Sequence, residues 1–143
     1  MRQPIHLLLV EDNPGDVKLT RLALERAGSP DTMSVVSDGV DALRYLRRET
    51  PFDDARRPDL VLLDLNLPRM DGREVLQVVK SDPGLRRIPV VMLTSSEAAH
   101  DIEGSYGLHA NCFVTKPAEL KRFMAVIRLV VEFWGSVAQL PRG

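Results

Sequence analysis

The chain has 143 residues, 44% hydrophobic and 27% charged, the mix of an ordinary globular domain; that length suits a single domain over residues 1–143 and leaves no room for an output domain. Lys+Arg 19 stand against Asp+Glu 20 with no basic block along the chain, so DNA or RNA is not an expected partner. Apolar runs fall far short of the roughly 20 residues of a membrane span, no secretory signal opens the chain, and the single cysteine, Cys112, has no partner for an internal disulfide, which together predict a cytoplasmic protein.

In chain order, the first strand-like run is Ile5 to Val10, after which Pro14-Gly15-Asp16 opens a helix that Gly28 closes. The second run, Met33 to Val36, precedes Asp38-Gly39 and a helix with Val40, Leu43 and Leu46 at three-residue steps. Glu49 to Pro58 is a polar stretch with two prolines, longer than most connections in this alternation, and reads as a functional loop or a tolerated insertion. Leu60 to Leu63 is the third run. Asp71-Gly72 then leads a helix whose Val75, Leu76 and Val79 share a face, ended by Asp82-Pro83-Gly84. Val90 to Leu93 follows, then a helix after Ser95-Ser96 supported only by Ala98, Ala99 and Ile102, then the fifth run, Cys112 to Val114. Near-continuous hydrophobicity in the five runs predicts strands covered on both faces, hence a parallel sheet between two helical layers, an α/β doubly wound fold.

The last helix is apolar around most of its circumference. Leu120, Phe123, Met124, Ile127, Val131 and Trp134 form one face at steps of three and four. Val126, Leu129, Val130, Phe133 and Val137 form a second stripe beside it. A helix covering one side of a sheet needs an apolar arc of about 100°, and this one has roughly twice that. Either the core is wider, with the Glu49 to Pro58 loop folded over the second stripe, or Val126, Val130, Phe133 and Val137 meet another subunit.

In doubly wound sheets chemistry gathers at the carboxyl ends of the strands. The first run ends in Glu11-Asp12, the third in Asp64, the fourth in Thr94 and the fifth in Thr115-Lys116-Pro117. Singly, each has a plain explanation as a cap, turn or solvated charge; together at one sheet edge they make a site. Converging carboxylates repel unless a cation sits between them, and their oxygens suit a hard ion such as Mg²⁺. Lys116 can pair with Asp64 and then with a phosphoryl group attached to it, and Thr94 can donate to a phosphate oxygen. Phosphoryl transfer to Asp64 is the reading this pattern supports.

The motifs LLLVEDNPGDVKL at 7–19, VLLDLNLPRMDG at 61–72, VVMLTSS at 90–96 and FVTKP at 113–117, in that order, resemble the receiver domains of two-component response regulators. The resemblance covers essentially the whole chain. It implies a flavodoxin-like five-stranded sheet in the order 2-1-3-4-5. It makes Asp64 the acceptor of a phosphoryl group from a sensor histidine kinase. Asp12, Asp64 and the Asn66 main-chain carbonyl would ligate Mg²⁺, with Glu11 acting through a water. Lys116 and Thr94 would bind phosphoryl oxygens, Phe113 would be the aromatic that rotates on activation, and the Lys116–Pro117 bond would be cis. The NPGDVKLT start, the polar stretch before the third run and Glu132-Phe133-Trp134 further resemble stand-alone receivers paired with phytochrome-type kinases, which form homodimers through the C-terminal part of the fold. Glu11 departs from the family's commoner Asp, Phe113 from its frequent Tyr, and Asn66 and Ser96 occupy positions that tune dephosphorylation.

Two other readings compete with this signalling switch, which would not be an enzyme. A haloacid-dehalogenase-type aspartyl phosphatase would want an Asp two residues after the nucleophile, where Asn66 stands, and acidic ligands after the lysine, where Pro117-Ala118 stands. A receiver-fold interaction module that is never phosphorylated would not need the full residue set. His6, His100 and His109 are scattered, and His6 reads as filler of a sheet position.

Overall fold

The apolar runs form five parallel strands, β1 (His6–Val10), β2 (Thr32–Val36), β3 (Leu60–Leu63), β4 (Val90–Thr94) and β5 (Cys112–Thr115), in the order β2-β1-β3-β4-β5. Between them run α1 (Pro14–Arg26), α2 (Gly39–Leu46), α3 (Gly72–Ser81), α4 (Ala99–Gly107) and α5 (Leu120–Glu132), the last continuing into a π turn at Phe133–Val137. The structure, a computed structural model, describes residues 4–27, 31–95 and 99–141. Gly28, Ser96 and Ala98 lie outside them, as do the side chains of Ala99 and His100. Among the described residues no helix is long and apolar enough to cross a membrane.

Strand alternation divides the core in two. Leu8, Val10, Val61, Leu63, Val90 and Met92 face α2 and α3, packing on Leu43, Leu46, Val75, Leu76 and Val79. Leu7, Leu9, Leu60, Leu62, Val91 and Leu93 face α1 and α5, packing on Ala23, Leu24, Phe123, Ile127 and Val131. The central strands β1, β3 and β4 are buried throughout. The outer strands β2 and β5 are only half-buried, because an edge strand has one neighbour and overhangs its helices; uniform burial of all five runs does not hold.

The starts of α1, α2 and α3 are set by side-chain caps at the carboxyl edge of the sheet. Asn13 accepts from the Gly15 and Asp16 amides, Asp38 from Asp41, and Asp71 forms a capping box with Glu74. Gly72 has a second duty: a Cβ there would lie 2.2 Å from the Asp64 carbonyl oxygen, so only glycine lets α3 begin so close to the end of β3.

Three expectations are corrected. Leu120 is 62% exposed and not part of the core face of α5, because that face begins only at Phe123, where the helix first meets the sheet. The wider-core reading of the second stripe holds only for Val130, which packs on the core under α5, since the Glu49 to Pro58 segment packs Phe52 and Ala55 on the α2 side of the sheet, away from α5. Leu129, Phe133 and Val137 are 70%, 47% and 69% exposed, while Val126 and Val130 are half-buried. The Lys116–Pro117 bond is not cis; among the described residues the cis peptide bond is Thr50–Pro51. X–Pro amides carry only a small trans preference, so the isomer is not written in the dipeptide.

Candidate functional site

Glu11, Asp64 and Lys116 each stand one residue past a strand, and each is anchored by its own amide to the neighbouring strand. Glu11 N–H donates to Val36 O at 3.0 Å, Asp64 N–H to Val10 O at 3.1 Å and Lys116 N–H to Thr94 O at 2.7 Å. The parallel ladder thus runs one step beyond the strands and fixes three functional backbones in register. Their side chains converge. Lys116 Nζ donates to Glu11 Oε1, to Asp16 Oδ2 at 2.9 Å and to Asp64 Oδ2 at 3.1 Å. The other Asp64 oxygen, Oδ1, accepts from the Asn66 main-chain N–H at 3.2 Å. Both oxygens of the Asp64 carboxylate are held, one by an ammonium and one by a backbone amide.

Carboxylate oxygens of Glu11, Asp12 and Asp64 lie within 4.8 Å of one another. Glu11 and Asp64 are buried, Asp12 exposed, so the cluster opens to solvent through Asp12. Burial pushes the Glu11 carboxyl up to about 7, against the pull of its Lys116 hydrogen bond and helped by the charge of Asp64. For Lys116, burial disfavours the charge, but hydrogen bonds to Glu11 and Asp16 and the field of Asp64 outweigh it and hold the ammonium above its ordinary range. Hard oxygen donors crowded until one resists ionisation fit a divalent cation, whose charge removes that conflict.

Thr94 is fully buried at the end of β4, and Phe113 sits on β5 opposite Met92, on the same face of the sheet as Thr94. Phe113 is partly buried against the α2–α3 layer, and its amide donates to the Tyr106 hydroxyl of α4 at 3.1 Å. Glu11, Asp12, Asp64, Asn66 and Lys116 therefore form one cluster, with Thr94 on the adjacent strand end and Phe113 below it. Val130, Phe133 and Val137 belong elsewhere, lining with Val91, Cys112 and Trp134 an apolar groove of about 580 Å³ on the α5–β5 side. Asp16 was not foreseen as part of the site. It reads as an acidic residue in the first turn of α1, but that turn is also where a chain leaving β1 comes back over the sheet edge toward Lys116.

The model of the response regulator receiver domain family matches residues 7–128. The chain belongs to that family. Response regulator Rcp1 of Synechocystis sp. is 40% identical over 138 residues, 96% of this chain and 94% of Rcp1. The crystal structure of the phosphorylated cyanobacterial phytochrome response regulator RcpA is 48% identical with a TM-score of 0.94, covering 98% of this chain and 100% of RcpA. The Mn(2+)-bound form of Rcp1 gives a TM-score of 0.92 at 40% identity, over 97% of this chain and 100% of that one. This receiver is a phosphorylation-dependent signalling switch, as the four motifs led us to expect, and its acidic cluster is a candidate divalent-metal site. These relatives are signalling regulators, and they lend no support to the phosphatase reading.

Proposed function

We propose that Asp64 takes a phosphoryl group from the phosphohistidine of a sensor kinase of phytochrome type. The carrying observation is the Asp64 carboxylate, gripped on Oδ2 by Lys116 and on Oδ1 by the Asn66 amide, beside Glu11 and Asp12. An Asp64 oxygen forms the new O–P bond as the P–N bond of phosphohistidine breaks, and the histidine leaves with the bonding pair. Glu11, Asp12, Asp64 and the Asn66 carbonyl are the groups that would hold Mg²⁺; when bound it neutralises charge on the phosphoryl oxygens. Lys116, freed from part of its carboxylate bonding, turns to a phosphoryl oxygen, and the Thr94 hydroxyl donates to another. Phe113 follows by packing inward, without the hydroxyl a tyrosine would bring.

The domain acts in the cytoplasm as a single receiver over residues 1–143, does not bind DNA and passes its signal on by protein contact. A homodimer uses the α5 stripe, Val126, Val130, Phe133 and Val137. What supports this is the exposure of Phe133 and Val137 beside an apolar groove. Calorimetric titration with Mg²⁺ tests the ligand set: Asp12→Ala should weaken binding by tenfold or more, and unchanged affinity would remove Asp12 from it.

A further inference from the structure

Three Arg-Arg pairs, Arg47-Arg48, Arg56-Arg57 and Arg86-Arg87, are spread along the chain and attract no notice as a basic block. The fold brings all three to the amino edge of the sheet: one follows α2, one precedes β3 and one precedes β4. Arg48, Arg56, Arg57 and Arg87 line a single pocket of about 290 Å³. Among the described residues, no carboxylate lies at ion-pairing distance from any of these four guanidiniums. Arg47 takes Asp82 at 3.8 Å, and Arg57 Nη1 donates to the Gly84 carbonyl at 2.9 Å, which fixes one wall. Asp59 is the sole carboxylate of the lining, and its Oδ2 is already occupied by the His6 amide at 2.8 Å. Pro58 and Pro89, both buried, hold the backbone at the mouths of β3 and β4.

Four guanidiniums gathered around one carboxylate repel one another, and their planar forks match phosphate oxygens two at a time. The volume lies at the lower end of small-ligand sites, which run from about 300 Å³ upward. That is room for a group the size of pyrophosphate. We propose that this pocket binds a small polyanion through a pyrophosphate-like group, at the end of the strands opposite Asp64. Five residues of strand at about 3.3 Å each separate the two ends, so both sites can be filled at once.

The test is calorimetry with pyrophosphate in the absence of divalent ions, with inorganic phosphate as a second probe. Saturable one-to-one binding is expected, tighter for pyrophosphate and weakened at least tenfold by Arg48→Gln with Arg87→Gln. The same charge change on α5, Arg122→Gln with Arg128→Gln, should alter it less than twofold, and so should Asp64→Asn. All four arginines changed are on the surface, and a melting curve verifies that each variant is folded. Equal loss in the two double variants would reduce the effect to overall charge and overturn the proposal. No saturable binding would do the same. So would attachment to phosphatidylglycerol vesicles that pyrophosphate fails to compete away, since that marks a flat charged face and not a pocket.

Discussion

Asp64 illustrates how much of the chemistry rests on placement: its amide is in the sheet ladder, its carbonyl abuts Gly72, and each carboxylate oxygen has a donor. Asp64→Asn should abolish phosphorylation yet leave the circular dichroism and melting curve of a folded domain, since an amide fills the same volume. Gly72→Ala should cost about 1–3 kcal/mol in urea melts, because the added methyl must push α3 off the end of β3; a cost near zero would show that the contact yields freely. His6 carries a pH effect remote from the site. Its ring meets Thr32 Oγ1 at 2.7 Å and Tyr45 OH at 2.9 Å. Burial lowers its pKa, the charge of Arg56 lowers it further, and Asp59 opposes both. The unfolded chain therefore binds the proton more readily, so the contribution to stability is complete above about pH 6.5 and is lost as pH falls from there through the folded value. His6→Gln should flatten the slope of stability between pH 7 and 5.5; an unaltered slope would assign the effect to other groups. At this scale the sequence was informative where a pointed side chain directly followed an apolar run, as for Glu11, Asp64 and Thr94, or stood one residue further on, as for Lys116. It was silent on Asp16, whose role depends on how α1 folds back.

The elements follow from the same logic of covering. Periodicity located all five strands to within a residue, and it overstated only the burial of β2 and β5, where one side lacks a neighbour. It carried α5 through Val137 on a 3.6-residue wheel, whereas the helix widens to a π turn after Glu132 and resets the faces of Phe133–Val137. The exposed stripe survives that change. Val130→Glu with Phe133→Glu should convert dimers to monomers by sedimentation velocity, and Phe133→Glu alone, at an exposed side chain, should do so with little loss of stability. Unchanged sedimentation would deny the stripe its role. Asn13→Ala should cost about 1 kcal/mol, since it strips the cap from two amides at the start of α1, next to the site.

Across the whole molecule, each end has an excess of one sign: Glu11, Asp12, Asp16 and Asp64 gather around Lys116 at the carboxyl edge of the sheet, and arginine pairs gather around Asp59 at the amino edge. A net charge of -1 conceals this separation. Turning a 1:99 equilibrium into 99:1 takes about 5.5 kcal/mol, and a charge-assisted hydrogen bond contributes roughly 1.5–3 kcal/mol. On the proposed function, two or three new bonds from Lys116, Thr94 and main-chain amides to a phosphoryl group would supply that amount, and Phe113 would carry the change toward α4 through β5. Everything depends on Asp64 receiving the phosphoryl group. The direct test is intact-mass spectrometry over time with Mg²⁺ and acetyl phosphate, run on the wild type, on Asp64→Asn and with a chelator. One persistent phosphoryl adduct on the wild type, absent from the variant and without metal, is the expected result. An adduct of equal yield on Asp64→Asn, or donor hydrolysis through many turnovers with no adduct, would contradict it.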